Sequence, residues 1–542
     1  MVNIEIELNK FWKLHEIGDS KLYLKGYFYF HTVTELIDIL NSIELEHLNE
    51  FINSLRGNFT FIFKNSKYTI GVVDRIRSSE LNFFQYKSDF YISPNISCIL
   101  NLEFFKKTIN QDALLQIAMS GYTIGDDTLY DNCKSLSAGQ YAMIVNDKLE
   151  VFDYFKYLDA ISKQSYDELK VELTEVTLNI FKKVIKKIGD RQIVIPLSAG
   201  NDSRLVASIL HHLGVKNVLC YSYGQKTNFE SKISKIIAEK LGYKWVFIPV
   251  SYSTERSFYN SNEYKNFLSY SFSNSGISFI QSLSTIRKLK ESNLINKDSV
   301  FINGNSGDFI SGGHIKKLYD KIESTNNIED LKDITIDTII AKHFSLWGYL
   351  KTSVNLKKIK EKLFQTVFED FQKITKGNIH LIYENYEYAN RQSKYVVSGQ
   401  RVYEFYNYDW ILPLWDDEYL LFWKKIPKEF KKDQLLYVDM LKSNNFGGVW
   451  DNKLPVNDKK IYPIWIRPLR FVFKIFFYFL GKNGKLLWKR FDISFFYYWM
   501  DPVLISCSSK YFDWIKDFKK KPRSPISWIS KDYINSIKNS NV

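Results

Sequence analysis

The sequence from Val194 to Arg204 reads VIPLSAGNDSR, and this stretch decides the fold class of the second part of the chain. An apolar run enters a turn of small residues, and a helical pattern begins near Ser203. The first N–H groups of such a helix lack intrahelical acceptors, so they suit a phosphate. The Ser198 and Ser203 hydroxyls can donate to it, and the Asp202 carboxylate suits Mg²⁺. An ordinary turn with Asp202 or Ser203 as N-cap fits these residues equally well.

Strands and helices are predicted to alternate around this turn. A long amphipathic helix runs through Leu169 and Ile188, and short apolar runs then alternate with helical patterns. The predicted elements are strand Gln192–Leu197, a helix from about Ser203, strand Asn217–Tyr223, helix Phe229–Leu241, strand Trp245–Val250 and strand Val300–Asn303. This order predicts a doubly wound α/β parallel sheet that binds ligands at the carboxyl ends of its strands.

A second small-residue loop follows the strand near residue 300. Residues 301–308 read FINGNSGD, so this loop also ends in an acidic residue, Asp308. Two parallel strands that each deliver one aspartate can hold Mg²⁺ and pyrophosphate between them. A surface Gly/Ser turn explains one such loop but explains the pair less naturally. Arg204 directly follows the first loop, so its positive charge can offset phosphate charge that Mg²⁺ leaves unbalanced.

Residues 1–158 have a different pattern, with short alternating strands at Phe59–Phe63, Tyr68–Val73, Phe90–Ile92 and Gln140–Val145. Helical patterns at about 33–55 and 110–120 interrupt them. This pattern predicts antiparallel sheets that pack face to face. Beyond about residue 340 the pattern is mainly helical.

Composition limits the function classes. A chain of 542 residues predicts at least two domains, and 45% hydrophobic residues suffice for large cores. The net charge of +14 would attract phosphates, but no dense Lys/Arg tract accompanies a nucleic-acid motif, so we expect no nucleic-acid partner. Four separated cysteines without a CxxC pair argue against disulfides and zinc, and no apolar span reaches about 20 residues. These features predict a cytoplasmic protein.

The segment Trp465–Arg490 mixes aromatic and basic side chains and has two interpretations. A core helix with a basic outer face is favoured because the apolar run is short and continuous. The alternative is peripheral contact with an anionic membrane, at the inner face of the cell membrane.

The two loops resemble those of the asparagine synthetase family, in which they read S-G-G-x-D-S and G-E-G-S-D-E. Ser198–Ser203 matches the first with Ala199 in place of one glycine, and residues 304–309, GNSGDF, match the second loosely. Further similarities occur in family order at residues 56–59, 73–75, 128–140, 154–155 and 409–416. The resemblance therefore covers most of the chain before residue 461.

The resemblance implies an Ntn-hydrolase-like α+β sandwich at 1–158 and an ATP-binding synthetase domain of PP-loop type at 165–460. That domain would have the doubly wound sheet of adenine nucleotide α-hydrolases and a helical C-terminal part. A basic-aromatic extension at 461–542 has no counterpart. The oligomeric state is not defined by the sequence.

The implied activity is transfer of AMP from ATP to a substrate carboxylate, with release of pyrophosphate, followed by attack of ammonia or an amine. The ATP-binding set would be Pro196, Leu197, Ser198, Gly200, Asp202, Ser203, Tyr223 and Gly304. Asp202 and Asp308 would bind Mg²⁺. The expected catalytic residues are Lys453, Asn305 and Arg204.

The sequence departs from the family pattern at several positions, and these departures limit which activity and which substrate the resemblance implies. Val2 follows Met1, and no Cys precedes Cys98, so we expect no glutaminase activity. Asn305 and Phe309 stand where the family has acidic residues, which makes aspartate itself a doubtful substrate. The carboxylate is therefore a small molecule, a glycan such as a sugar acid of a surface polysaccharide, or a peptide. A macrolactam-forming peptide cyclase and a catalytically inactive interaction protein are the alternatives.

Overall fold

The computed structural model describes residues 1–226, 228–369, 374–451, 454–456, 464–500 and 510–540. The strands are β1 Val2–Ile4, β2 Trp12–Ile17, β3 Ser20–Gly26, β4 Phe59–Lys64, β5 Thr69–Val73, β6 Asn82–Tyr86, β7 Asp89–Ser93, β8 Lys134–Ser135, β9 Gln140–Val145, β10 Lys148–Asp153, β11 Ile193–Pro196, β12 Val218–Gly224, β13 Lys244–Pro249, β14 Val300–Ile302 and β15 Asp409–Ile411. The α-helices up to residue 343 are Val33–Ser42, Leu48–Ser54, Ile96–Leu100, Gln111–Ser120, Tyr166–Ile188, Asn201–His212, Phe229–Lys240, Tyr252–Tyr259, Asn262–Tyr270, Leu283–Glu291, Gly307–Ile310, Lys316–Ile322 and Ile328–His343. Those that follow are Ser353–Val367, Ile379–Glu387, Arg401–Phe405, Asp417–Trp423, Lys428–Lys431, Leu435–Asn444, Ile466–Tyr478, Gly484–Phe491, Tyr497–Met500, Tyr511–Lys516 and Ile526–Ser540, with π-helices at Tyr388–Val396 and Asp492–Phe496.

The first ten strands form two sheets packed face to face. One sheet has the order β10-β9-β5-β4-β3-β2 and the other β1-β7-β6-β8. Ile62, Val73 and Ile92 belong to the apolar core between them. Helices lie on the outer face of each sheet, so the layers run helix, sheet, sheet, helix. The predicted face-to-face sheets are therefore present, and their pairing is antiparallel except for the parallel pair β1 and β7.

The helix Tyr166–Ile188 links this sandwich to the next sheet. Its start is fixed by a capping box, in which the Ser165 hydroxyl accepts from the Glu168 N–H and the Glu168 carboxylate accepts from the Ser165 N–H. Its apolar positions recur at helical spacing, and Leu169, Leu173, Ile180, Val184 and Ile188 are buried as the sequence predicts.

The third sheet is wholly parallel and has the order β13-β12-β11-β14-β15. Its side chains alternate between two cores: Ile193 and Ile195 join one, whereas Val194 and Phe301 join the other. Helices therefore cover both faces, as in a doubly wound sheet. The chain winds outward from β11 through β12 to β13 and then returns to place β14 on the other side of β11. This reversal creates a crevice between β11 and β14.

The C-terminal part is helical, as predicted. The final helix Ile526–Ser540 packs on helix Gln111–Ser120, where the Ser530 hydroxyl donates to the Ile117 carbonyl at 3.0 Å. Trp528 stacks on Trp514 in a small buried cluster. Among the described residues, no helix combines the length and apolar character that crossing a bilayer requires.

Buried polar contacts join the sandwich to the rest of the chain. The Arg75 guanidinium donates to the Asp417 carboxylate and to the Leu55 carbonyl, each at 2.9 Å, and both charged side chains are buried. Lys25 pairs with Glu404, again at 2.9 Å and out of water. These contacts fix the sandwich against the helices that flank the parallel sheet.

Replacing Arg75 with Met should destabilise the protein by about 3–5 kcal/mol, because it leaves the buried Asp417 carboxylate without its partner. The measurement is the free energy of unfolding from urea denaturation followed by tryptophan fluorescence. Lys21→Met breaks the exposed pair with Glu16 and serves as the control, with little expected change. Equal effects of the two substitutions would contradict the structural role of Arg75.

Candidate functional site

A cavity of about 530 Å³ lies at the carboxyl ends of β11 and β14. Its position coincides with the crevice that the strand order creates. The lining includes Pro196, Leu197, Ser198, Gly200, Asn201, Asp202, Ser203, Tyr221, Ser222, Tyr223, Glu230, Phe279, Gln281, Ser282, Asn303, Gly304, Asn305, Ser306, Asp308, Tyr403, Gln434 and Val456. The volume is in the range of small-molecule sites, about 300–1,000 Å³.

The loop after β11 is held by its own serines. The Ser203 hydroxyl accepts from the Ser198 N–H at 3.0 Å, and the Ser198 hydroxyl accepts from the Gly200 N–H at 3.1 Å. Helix Asn201–His212 then begins at Gly200, which supplies no side-chain cap. The first-turn N–H groups therefore lack a cap from the N-cap residue, and they lie at the cavity where an anion can accept from them.

The loop after β14 contacts Asp202 so closely that only glycine fits at two positions. A Cβ atom at Gly304 would lie 2.7 Å from the carbonyl carbon of Asp202. A Cβ atom at Gly307 would lie 2.4 Å from the Asp202 Oδ1 atom. Ser306, between them, has a left-handed backbone with φ of 69°, and its hydroxyl is held by Gln392 at 2.8 Å. The two loops thus form one packed unit.

Asp202 and Asp308 are neighbours in this unit. The Asp202 Oδ2 atom accepts from the Asp308 N–H, and its Oδ1 atom accepts from the Tyr437 hydroxyl, each at 3.1 Å. Burial, together with the negative charge of Asp308, raises the pKa of the Asp202 carboxyl to about 7. The Asp308 side chain, 57% exposed, faces the cavity. A cation placed beside both carboxylates would relieve their repulsion.

Behind Asp308 lies a chain of alternating charges. The His314 Nε2 atom is 3.1 Å from an Asp308 carboxylate oxygen, and its Nδ1 atom is 2.5 Å from the buried Glu387 carboxylate. Lys342 completes the chain, 3.0 Å from Glu387. Burial alone would lower the pKa of His314, but the charge of Glu387 and the bond to Asp308 raise it to about 9. Burial acts to raise the pKa of Asp308, yet His314 holds it below its usual value.

The donor set fits Mg²⁺, because two carboxylates from adjacent strand ends supply the hard oxygen ligands that this ion prefers. Burial is the main cause of the raised pKa of Asp202, and the negative charge of Asp308 adds to it. Among the described residues lining the cavity, none is Lys or Arg, whereas Asp202, Asp308 and Glu230 are acidic. A polyphosphate would therefore need a divalent cation at this site.

The structure brings most of the expected residues together. All eight expected ATP-binding residues line the cavity, as do Asp308 and Asn305. Arg204 does not: its guanidinium is buried and donates to the carbonyls of Ala199, Val449 and Leu454. The structure therefore does not bring Arg204 to the cavity lining, and its side chain anchors the segment after residue 449. Lys453 lies outside the described residues.

Several site residues were not apparent from the sequence. Gln434 and Tyr437 come from the start of a helix that lies more than 100 residues after the second loop in sequence. His314 follows that loop directly, but a single histidine gave no spacing signal. Its importance depends on Glu387, which reaches it from the end of helix Ile379–Glu387.

The described cysteines show no activated thiol in the sandwich. Cys133 is buried, and burial raises the pKa of its thiol to about 12. Burial also raises the pKa of Cys98. Both thiols therefore remain protonated at neutral pH, so neither has the character of a nucleophile.

Comparisons with known proteins show only distant similarity. No family model matches the chain, and no curated protein matches it. Glutamine phosphoribosylpyrophosphate amidotransferase from B. subtilis, solved with ADP and GMP, is 9% identical with a TM-score of 0.18, over 59% of this chain and 61% of that one. A structure described as the allosteric regulatory enzyme of purine biosynthesis is 10% identical with a TM-score of 0.17, over 44% and 62%. The chain thus spans about three fifths of each.

Replacing His314 with Gln should change the pH dependence of stability. A histidine whose pKa is raised from 6.5 to about 9 contributes stability that is complete below pH 6.5 and is lost as pH rises through about 9. The variant should be about 1–3 kcal/mol less stable than wild type near pH 6, and this difference should shrink near pH 10. Urea denaturation at several pH values measures it, with the exposed His47→Gln as control. A difference that does not vary with pH would contradict the charge chain.

Proposed function

We propose that this protein is an ATP-dependent carbon–nitrogen ligase that adenylates a carboxylate and passes the acyl group to ammonia or an amine. The observation that carries the proposal is the pairing of two loops at the strand-order reversal, which places Asp202 and Asp308 beside uncapped helix N–H groups in one cavity. This arrangement suits Mg²⁺ and a polyphosphate together. The resemblance of both loops to those of asparagine synthetases supports the reaction class.

The residues of the cavity divide between the parts of ATP. Pro196, Leu197, Tyr223 and Gly304 would contact the adenosine, and the loop Ser198–Ser203 would hold the phosphates through N–H groups and hydroxyls. Asp202 and Asp308 would bind Mg²⁺, which when present neutralises the pyrophosphate. Tyr437 and the His314 chain would keep the two carboxylates oriented.

The proposed reaction has two steps. A substrate carboxylate oxygen attacks the α-phosphorus of ATP, an O–P bond forms, and the bond to pyrophosphate breaks with its electron pair leaving on pyrophosphate. The amine nitrogen then attacks the acyl carbon, AMP leaves, and the nitrogen loses a proton. The protein contributes positioning and charge balance, which are the principal terms in phosphoryl and nucleotidyl transfer. Asn305 lines the cavity and can hydrogen-bond to a substrate, but its carboxamide is not a proton acceptor for the amine.

The nitrogen donor in this proposal is free ammonia or a substrate amine. The protonated, buried Cys133 supports that choice, since release of ammonia from glutamine by a thioester route requires a thiolate. The carboxylate is a small acid, a sugar acid or a peptide, and a peptide that supplies its own amine would give a macrolactam.

Carboxylate-dependent exchange of pyrophosphate into ATP tests the proposal. We expect exchange with one class among aspartate, hexuronic acids, their nucleotide-linked forms and short peptides. Asp202→Asn should reduce that exchange by about a hundredfold or more, because it removes a ligand to Mg²⁺ without changing side-chain size. Asp337→Asn, at an exposed helix position, should leave it unchanged. Exchange that survives in Asp202→Asn would refute the assigned site.

Removal of divalent cations should weaken nucleotide binding. With three acidic residues and no described Lys or Arg in its lining, the cavity repels free ATP. We expect the affinity for ATP, measured by isothermal titration calorimetry, to fall at least about tenfold when EDTA replaces Mg²⁺. Failure to bind ATP in both conditions would favour a catalytically inactive interaction protein.

A further inference from the structure

Two helices after the parallel sheet form a hairpin that projects apolar side chains into solvent. The basic-aromatic hairpin, residues 464–491, consists of helix Ile466–Tyr478, a turn, and helix Gly484–Phe491. Only Ile466 and Gly484 are buried within it. Its exposed large apolar side chains are Ile464, Trp465, Leu469, Phe471, Val472, Phe473, Ile475, Phe476, Tyr478, Phe479, Leu480 and Leu486. The favoured expectation from sequence, a core helix with a basic outer face, is therefore wrong.

The hairpin has an internal packing face and a separate exposed apolar face. Phe473 and Phe477 contact Phe491, with ring centroids 4.9 and 5.1 Å apart, so these rings hold the two helices together. The exposed stripe recurs at spacings of four, three, four and three residues, which places it on one side of the helix. Its members are Trp465, Leu469, Val472, Phe476 and Phe479, and Phe479 at the turn is 80% exposed.

Basic side chains flank this stripe. Arg467, Arg470 and Lys474 recur at spacings of three and four residues, on a different side of the first helix from the stripe. Lys482, Lys485, Lys489 and Arg490 follow on the turn and second helix. Residues 464–491 contain these seven basic residues and no acidic residue. Arg470 is largely buried and pairs with Asp492, directly after the segment, whereas Lys474, Lys482, Lys485 and Lys489 belong to the exposed or half-buried surface.

We propose that the basic-aromatic hairpin is a docking surface for an anionic lipid bilayer. An exposed apolar stripe of this size is costly in water, and basic residues beside it match the charge of acidic headgroups. Trp465 and Tyr478 supply the amphipathic rings that favour the membrane interface. The first helix has 13 residues, about 20 Å, which is shorter than the hydrocarbon core of about 30 Å. The hairpin therefore lies in the interface and does not cross it.

The same charge argues against a second copy of the chain as the occupant. Two hairpins placed face to face would bring Lys474, Lys482, Lys485 and Lys489 of each copy together, and residues 464–491 supply no acidic residue to oppose them. Anionic headgroups supply the opposite charge, and acyl chains accept the stripe. None of residues 464–491 lines the cavity at β11 and β14, and this inference does not depend on the proposed ligase activity.

Co-sedimentation of the full chain with vesicles tests the proposal. Wild type should pellet with vesicles of phosphatidylcholine and phosphatidylglycerol and remain in the supernatant with phosphatidylcholine alone. The double variant Val472→Asp with Phe476→Asp should lose most of this binding, because both side chains are exposed members of the stripe. The matched control, Val171→Asp with Val354→Asp, changes two exposed valines on other helices and should bind as wild type does. Circular dichroism melting checks that all variants fold.

A charge variant and a mass measurement complete the test. Replacing Lys474, Lys482 and Lys485 with Gln should weaken binding at least fivefold, and wild-type binding should fall with added salt. Wild type that remains in the supernatant with anionic vesicles would overturn the proposal. So would multi-angle light scattering that shows a wild-type dimer converted to a monomer by Val472→Asp with Phe476→Asp, since the stripe would then bind another copy.

Discussion

The close contact between the two strand-end loops is the constraint on which the rest of the site depends. Gly304 and Gly307 let the backbone after β14 approach Asp202 to distances that no side chain at either position would allow. That approach is available only because β11 and β14 are neighbours in the sheet, although more than 100 residues separate them in sequence. The strand order thus produces the crevice, and the glycines allow the loops to close its base.

The close approach of the two loops also brings two carboxylates together, and the charged side chains behind Asp308 balance part of that charge. Packing the loops together brings Asp202 near Asp308 in a poorly hydrated position, so the pKa of Asp202 rises. Asp308 remains ionised because His314 is held protonated by Glu387, and Glu387 is in turn paired with Lys342. The chain of alternating charges therefore allows one exposed carboxylate at a cavity whose described lining residues include no Lys or Arg.

Much of this arrangement follows from local sequence patterns. Four of the ten sandwich strands (β4, β5, β7 and β9), the helix Tyr166–Ile188 and the alternation from β11 to β14 are predicted within a few residues, because each depends on neighbours in sequence. The other six sandwich strands are not predicted. The strand β15 was missed, since three residues without clear alternation give no periodic signal. Gln434, Tyr437 and Glu387 were missed because only tertiary packing brings them to the loops. Arg204 lies away from the cavity lining, which the sequence does not show, because sequence position predicts its helix but not the direction of its side chain.

The net positive charge of the chain is unevenly distributed between the cavity and the hairpin of residues 464–491. A net charge of +14 suggests a basic binding site, yet the charged side chains among the described lining of the cavity at β11 and β14 are all acidic, and the hairpin of residues 464–491 contains seven of the basic residues. Under the proposed function, phosphate attraction in the cavity would come from helix N–H groups and a divalent cation, both of which act over a few ångströms. The exposed basic residues of the hairpin act over about a Debye length in salt, which suits orientation of the whole protein toward an extended anionic surface. Short-range electrostatic interactions are thus expected at the cavity, and longer-range attraction is expected at the hairpin of residues 464–491.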